Sequence, residues 1–542
     1  MTAATRTEDW NALPWKRLQQ QVFQLQRRIY RATRRGDYKQ VRNLQRLLLR
    51  SFSARALAVR QVSQDNRGKR TPGVDGVARL SPQARMRLVE SLRHLDRPAQ
   101  PVRRIEIPKP NGEMRLLGIP TMADRARQAL VKLALEPEWE AKFEPNSYGF
   151  RPGRSPHDAI EAIYNHIRLK PKFVLDADIE KCFDRIDHGQ LLAKLKAIPI
   201  IQKLVRGWLK AGIFVGGEVI PSQAGTPQGG VISPLLANIA LHGFERAMQQ
   251  GFPPKQRPAV IRYADDFVIL HPDLEVILQL RQRAEAWLRQ MGLNLKEAKT
   301  TITHTLHPYE GRVGFDFLGF HIRQYVTGPR HSRRGYKTLI RPSKQAQQRH
   351  LREIKALIRR YRGSSQAALI AALNPRIRGW AQYYRTCAAK QVFARMDSQV
   401  HWKLRKWAKW QNHRKSARWR KARYWRRDAR GVLRFGDEKG YLLRYDSMPI
   451  RRHTKVKSAK SPFDGDWVYW SQRLQRYPLA RPRVVFLLKR QRGRCAQCGL
   501  YFTSRDVMEV HHVNGNRRDN SAANLALLHA HCHDRVHGKQ CL

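Results

Sequence analysis

The stretch Ala259-Val260-Ile261-Arg262-Tyr263-Ala264-Asp265-Asp266-Phe267-Val268-Ile269-Leu270 sets two adjacent aspartates between two apolar, β-rich runs. Such runs on either side of a short polar step predict a hairpin with carboxylates at its tip. Adjacent aspartates in a turn are usually just solvated, so the pair by itself decides little. A second stretch changes the reading. Phe173-Val174-Leu175-Asp176-Ala177-Asp178-Ile179 predicts a strand that ends in carboxylates and runs into Glu180-Lys181-Cys182-Phe183-Asp184. Buried strands tolerate acids when a metal or a partner compensates them. Carboxylates from two strands can hold a pair of Mg²⁺ ions roughly 4 Å apart, an arrangement suited to phosphoryl transfer. By the two-residue period of a strand, Asp176 and Asp178 point to the same face.

Working outward, 542 residues suggest three or four domains at roughly 100–200 residues each. Hydrophobic residues make up 42%, enough for packed cores. Lys and Arg number 104 against 43 Asp and Glu, a net charge of +61. A charge that large calls for a polyanion, and nucleic acid is the commonest one, bound tightly and with strong salt sensitivity. No apolar run approaches the ~20 residues of a membrane span, so no membrane partner is expected. Of the six cysteines, Cys495, Cys498 and Cys532 are spaced for a metal rather than for disulfides, which predicts a reducing compartment. The start MTAATRTEDW lacks a secretory pattern, so the expected location is the cytoplasm.

Residues 14–60 read as basic helix, with Leu18, Val22, Leu25 and Ile29 on one stripe. Residues 63–76 are polar and rich in Gly and Pro, hence a loop. Strand-like and helix-like segments alternate from about 80 to 325, and helical periodicity returns over 343–412, where Leu351, Ile354, Leu357, Ile358 and Tyr361 form an apolar stripe. Residues 401–436 hold fourteen Lys or Arg and five Trp against one acid, Asp428. That composition cannot build a core of its own, and five Trp among so many cations cannot all be buried, so a segment facing nucleic acid, or a linker, is expected. There is no internal repeat.

Further motifs stand in order around the acids: Thr71-Pro72-Gly73-Val74-Asp75-Gly76, Ile107-Pro108-Lys109-Pro110-Asn111-Gly112, Arg115-Leu116-Leu117-Gly118-Ile119-Pro120 and Tyr148-Gly149-Phe150-Arg151-Pro152. After Asp178 come Thr226-Pro227-Gln228-Gly229-Gly230-Val231-Ile232-Ser233-Pro234-Leu235, Gly292-Leu293 with Lys299-Thr300, and Phe317-Leu318-Gly319-Phe320. Together with Tyr263-Ala264-Asp265-Asp266 this set resembles the reverse transcriptase–maturases encoded by bacterial group II introns, over about residues 60–412. The resemblance implies that Asp178, Asp265 and Asp266 bind the two catalytic Mg²⁺ ions, with Asp176 and Asp184 as neighbours. It also implies a dNTP site. Lys109 and Arg115 would grip the triphosphate, Phe183 would exclude a ribose 2′-hydroxyl beside Ile179, and Gln228 and Gly229 would lie under the nascent base pair. Residues 343–412 resemble the family's thumb and maturase region, most clearly at Gly379-Trp380-Ala381-Gln382-Tyr383-Tyr384; Trp380, Tyr383 and Tyr384 are expected in a helical core. The Trp-Arg segment corresponds to the part that helps bind target DNA.

At the C-terminal end Cys495-x-x-Cys498 is followed by Glu509-Val510-His511-His512-Val513, Asn524-Leu525, His529-x-x-Cys532-His533 and His537. Cys495, Cys498 and Cys532 suit a structural Zn²⁺, with His529 or His531 as fourth ligand and His529 preferred. His533 and His537, four apart, can face one ion from a helix. The pattern resembles the HNH (ββα-metal) endonuclease module. That implies His512 as general base oriented by Asn524, and His511, His533 and His537 around one divalent ion, Mg²⁺ by expectation. His511-His512 departs from the commoner Asp-His, and His529 from the usual Cys; the His-His form resembles colicin-type nucleases. A zinc knuckle that binds DNA without cutting is the plainer alternative.

The expected fold is α+β. Residues 1–62 form a basic helical N-terminal extension, 63–325 right-hand polymerase fingers and palm with an antiparallel palm sheet, and 326–412 a helical thumb/maturase domain. Residues 413–480 are a basic DNA-binding or linker region, and 481–542 a small ββα-metal module with its zinc site. The function implied is RNA-directed DNA polymerisation with dNTPs, binding of group II intron RNA, splicing assistance, nicking of target DNA, and reverse transcription of the intron during retrohoming in the bacterial cytoplasm. Two rivals remain: an RNA-binding maturase without polymerase activity, against which the intact acids speak, and a domesticated reverse transcriptase of defence or repair with no intron partner.

Overall fold

The computed structural model describes residues 9–108, 114–429, 431–457, 460–475, 482–502, 506–517 and 519–537. Its architecture is mixed α+β with largely antiparallel sheets. At the N-terminal end, helices Trp15–Arg34, Tyr38–Arg50 and Phe52–Arg60 pack around the long helix Met122–Lys142. Leu18, Val22 and Ile29 of the expected stripe are buried and Leu25 partly so, in a core shared with the polymerase-like region. The first part of the expected loop 63–76 is instead helical: a π-turn Gln61–Asp65 and a 3-10 turn Arg67–Arg70 continue the preceding helix. Arg125 fastens this region to the long helix, donating to the carbonyls of Gly68, Thr71 and Pro120 at 2.7–3.0 Å.

A four-stranded sheet carries the basic motifs, in the order Met114–Ile119, Val102–Pro108, Ile213–Val215, Glu218–Ile220. The central sheet is fully antiparallel, in the order Ala259–Tyr263, Asp266–His271, Phe173–Asp178, Thr301–His304. Its strands are apolar on both faces because alternate residues serve two separate cores. Leu175, Ala177, Val260, Phe267 and Ile269 join the core beneath the N-terminal helices. Val174, Ala259, Ile261, Val268 and Leu270 join the core of the helical domain on the other side. A sheet covered on both sides reads as a continuous hydrophobic run rather than as alternation.

The strands Phe315–Phe317, Phe320–Val326 and Tyr336–Pro342 lead into helices Lys344–Arg360, Gln366–Tyr384 and Lys390–Gln411. Ile354, Ile358 and Tyr384 are buried there, with Leu351, Leu357, Tyr361, Trp380 and Tyr383 packed against them. The Trp-rich segment does not hang free. Helix Ala417–Tyr424 and a small sheet of Trp425–Arg427, Leu433–Asp437 and Gly440–Tyr441 close onto this domain, burying Trp407, Tyr424, Trp425 and Phe435 in its core. The other three Trp of the segment, Trp402, Trp410 and Trp419, remain exposed. Helix Pro482–Arg490, the hairpin of Met508–His512 with Leu525–His529, and helix Ala530–Val536 form a module with its own small core. Among the described residues no helix is long and apolar enough to cross a membrane.

Candidate active site and metal centres

The hairpin and the acidic strand meet as neighbours in the central sheet. Asp178 lies directly across from Asp266 in register, and the Ile179 amide donates to the Asp265 carbonyl at 3.2 Å. By strand parity Asp176, Asp178 and Asp266 share the sheet face opposite Leu175, Ala177 and Phe267. Between Tyr263 and Asp266 the turn is only two residues long, and Ala264 takes φ 60°. A left-handed conformation costs a residue with a Cβ about 1 kcal/mol or more, so surrounding structure has to hold it.

That support comes from Arg262, a guanidinium only 3% exposed. It donates to the Ala264 carbonyl (2.9 Å), to Asn238 Oδ1 (3.1 Å) and to Ser147 Oγ (2.7 Å). Asn238 in turn donates to the Gly149 carbonyl at 2.8 Å. Gly149 packs so closely on the turn that any Cβ there would collide with the Ala264 backbone nitrogen. Sequence reasoning missed both Arg262 and Asn238. The visible signal was a lone cation inside an otherwise apolar strand.

The electrostatics favour a cation. Burial first, then the charges of Asp178 and Asp265, push the Asp266 carboxyl up to about 7. Burial also raises Asp265, with Asp178 adding to it. Asp176 is driven to about 8 by burial and then by Asp266, Asp316 and Asp178. Lys299 supplies part of the compensation, donating from Nζ to Asp178 Oδ2 at 2.5 Å. Burial opposes its charge most strongly, but the bond to Asp178 together with the charges of Asp178, Asp266 and Asp265 raises its pKa. Hard carboxylate oxygens that resist joint ionisation are a donor set that fits Mg²⁺.

Beside the acids, the Phe183 ring meets Phe150 edge to face at 5.9 Å, and the Phe183 carbonyl accepts the Thr226 amide at 2.5 Å. The Gln228 carbonyl accepts the Gly118 amide at 2.7 Å, and Gly229, at φ 119°, leaves no room for a Cβ against the Gly118 carbonyl. Phe183, Gln228 and Gly118 thus wall one cavity of about 260 Å³ together with Arg104 and Lys181. Ile179 is buried. Arg115 is exposed on its strand and within electrostatic reach of Asp265. Lys109 lies outside the described residues.

In the C-terminal module Cys495, Cys498, His529 and Cys532 each bring a ligand atom within 4.8 Å of the others. His529 Nδ1 is 3.3 Å from Cys498 Sγ, while its Nε2 faces Asp506 at 3.5 Å. His531, the competing ligand, stacks on His529 at 5.1 Å and stands outside the group. Three thiols and an imidazole oriented by a carboxylate suit a structural Zn²⁺. Nothing in its spacing marks Asp506 in the sequence.

His511, His533 and His537 form the second group within 4.8 Å, with His511 Nδ1 3.1 Å from His537 Nε2 and His533 Nδ1 2.9 Å from Glu509. Imidazoles with one carboxylate nearby can hold a divalent ion. The expected contact between Asn524 and the His512 ring is not made. The Asn524 side chain accepts the Asn514 amide at 2.8 Å and donates to the Asp519 carbonyl at 2.9 Å, closing the loop after His512. The register pairs His512 with Leu525, which leaves Asn524 beside Val513, and the group near His512 Nε2 is Asn520 at 3.4 Å.

An antiparallel palm sheet with acids at the ends of adjacent strands defines a nucleic-acid polymerase of the reverse transcriptase class. Residues 107–322 match the family described as reverse transcriptase (RNA-dependent DNA polymerase), 10–92 the N-terminal domain of reverse transcriptase, and 347–425 the group II intron maturase-specific domain. Protein YkfC of Escherichia coli (strain K12) is 32% identical over 301 residues, 48% of this chain and 77% of that protein. Group II intron-encoded protein LtrA of Lactococcus lactis subsp. cremoris is 31% identical over 330 residues, 48% of this chain and 54% of LtrA. Maturase-like protein 1 of Euglena gracilis is 26% identical over 379 residues, 68% of this chain and 76% of that protein. The chain belongs to the group II intron reverse transcriptase–maturase family, and its match spans about half the length of LtrA.

Proposed function

We propose that this chain is an RNA-directed DNA polymerase that binds a group II intron RNA, assists its splicing, nicks a DNA target with its C-terminal module and copies the intron from the nick. The observation that carries the polymerase reading is the cross-strand pairing of Asp178 with Asp266, with Asp265 beside it on a braced turn. These three carboxylates would hold Mg²⁺, which when bound supplies the charge neutralisation that phosphoryl transfer demands. The primer 3′-hydroxyl attacks the α-phosphorus of a dNTP, and the bond to pyrophosphate breaks. Arg115, with Lys109, offers positive charge to the triphosphate, and Phe183 closes the space that a 2′-hydroxyl would need. The Gln228–Gly229 turn brings backbone close to the new base pair, because glycine leaves that approach open.

The nuclease reading rests on the hairpin-helix module. His511, His533 and His537 would hold one divalent ion at the scissile phosphate, and His512, on the opposite strand face from His511, would take a proton from the attacking water. The Cys495, Cys498, His529 and Cys532 set would hold Zn²⁺ as a structural staple. Its thiolates and the Asp506-backed imidazole keep the hairpin and helix together.

Asp265→Ala is expected to abolish primer extension on an RNA template while RNA affinity stays within about twofold; extension comparable to the wild type would refute the assignment. His512→Ala is expected to remove DNA nicking and leave RNA copying intact. Loss of copying in that variant would overturn the division of labour between the two modules.

A further inference from the structure

Residues 453–457 and 460–473 lie beyond the family-matched regions, yet they are fastened to the polymerase. Their main anchor is Asp158, fully buried at the start of helix Pro156–Ile167. One carboxylate oxygen caps that helix, accepting the Ser155 amide and hydroxyl at 2.9 and 2.8 Å. The other accepts His453 Nε2 (3.0 Å), the Val456 amide (2.8 Å) and Arg473 Nη2 (2.5 Å). Burial opposes the Asp158 charge, but His453 and Arg473 hold its carboxyl well below the usual range. Two glycines admit the segment. At Gly153, φ 72°, a Cβ would stand 2.5 Å from the Trp470 ring, and at Gly465, φ 90°, 2.6 Å from the Arg27 guanidinium. Phe463 stacks on Phe23 of the first helix at 6.5 Å, and Trp470 Nε1 donates to the Ser461 carbonyl at 3.0 Å.

The loop that receives this segment is the one that braces the catalytic turn. Four residues before Gly153, Gly149 abuts Ala264. The Tyr148 amide donates to the Arg262 carbonyl at 2.9 Å, and the Arg262 amide to the Asn146 carbonyl at 3.0 Å. A continuous line of close contacts therefore runs from the Asp265–Asp266 turn, through residues 146–158, to Trp470 and Arg473.

We propose that residues 453–457 and 460–473 form a strap that positions the Asp265–Asp266 turn, with Trp470 and Arg473 as positioning residues for nucleotide addition. The segment is thus a working part of the polymerase rather than a tether for the C-terminal module. This inference rests on the polymerase reading above.

The test is single-nucleotide extension by the full-length chain on an RNA template with a DNA primer, as a function of dNTP and Mg²⁺, beside thermal melting. Trp470→Ala and Arg473→Gln are expected to lower kcat about tenfold with the KM for dNTP within about twofold, and to raise the Mg²⁺ concentration for half-maximal rate. Trp470→Phe, which keeps a ring against Gly153, should restore most of the loss. A lowered melting temperature with kcat and Mg²⁺ dependence unchanged would overturn the strap and leave it as ordinary packing. If Trp470→Ala does not fold, Arg473→Gln decides by the same criteria. Inactive Asp265→Ala beside fully active strap variants sinks this inference alone; active Asp265→Ala sinks the polymerase reading beneath it.

Discussion

Ala264 shows how far the proposed catalytic turn is set by residues outside the acid pair. Its left-handed backbone is held by the Arg262 guanidinium on one side and the bare Cα of Gly149 on the other. A methyl group at Gly149 has nowhere to go except into the Ala264 backbone, so the turn or the loop must shift. Misplacement by about 1 Å at a phosphoryl-transfer centre costs on the order of 100-fold in rate. Gly149→Ala is therefore expected to lower single-nucleotide extension by about that factor while RNA affinity is retained. A variant that extends primers at the wild-type rate would show that the turn does not depend on this contact. Arg262 holds its place despite the cost of burying a charge, and burial lowers its pKa to about 10, still fully charged at neutral pH.

Among the elements, the central sheet and the C-terminal hairpin present opposite cases. The sheet lies between two large cores and needs no staple. The hairpin-helix module has only a handful of apolar residues to bury, Leu487, Leu488, Leu527 and Leu528 chief among them. A core that small rarely supplies more than about 3–5 kcal/mol, whereas a structural Zn²⁺ can contribute ~10 kcal/mol. Chelation of zinc, or Cys498→Ser, is expected to unfold this module in a separate low-temperature transition, with primer extension preserved. Calorimetry on the full-length chain checks this; one unshifted transition after complete zinc removal would argue against the staple. The Trp-rich segment illustrates a different rule. Trp407 and Trp425 serve the helical core, which leaves Trp402, Trp410 and Trp419 on its outside.

For the molecule as a whole, a net charge of +61 makes nucleic-acid binding largely an exchange of counterions. The exposed Trp402, Trp410 and Trp419 have Arg405, Arg362 and Lys415 over their rings at 4.9–5.7 Å, a surface of stacking faces among cations. The affinity for intron RNA should fall steeply with salt. Trp410→Ala is expected to cost about 1–3 kcal/mol of RNA affinity with the salt slope unchanged, because stacking releases no counterions. Replacing Arg405 and Lys415 by Gln should instead reduce the slope. Titrations of labelled RNA at several salt concentrations separate the two effects, and a Trp410→Ala variant with unaltered affinity would place the RNA elsewhere.

The acids, the hairpin, the order of the motifs and the Cys/His spacing were all legible in the chain, because each depends on local periodicity or on chemistry that few residues can perform. The part taken by Asp506 behind His529, the loop-closing role of Asn524 and the bracing by Arg262 were not. Each depends on which groups meet after folding, and a side chain with several possible partners does not announce its choice. The seating of residues 453–473 against Asp158 lay furthest from view. Contacts across some 300 positions leave no periodic trace, so only the packed structure could show that an apparent linker is seated against the polymerase region.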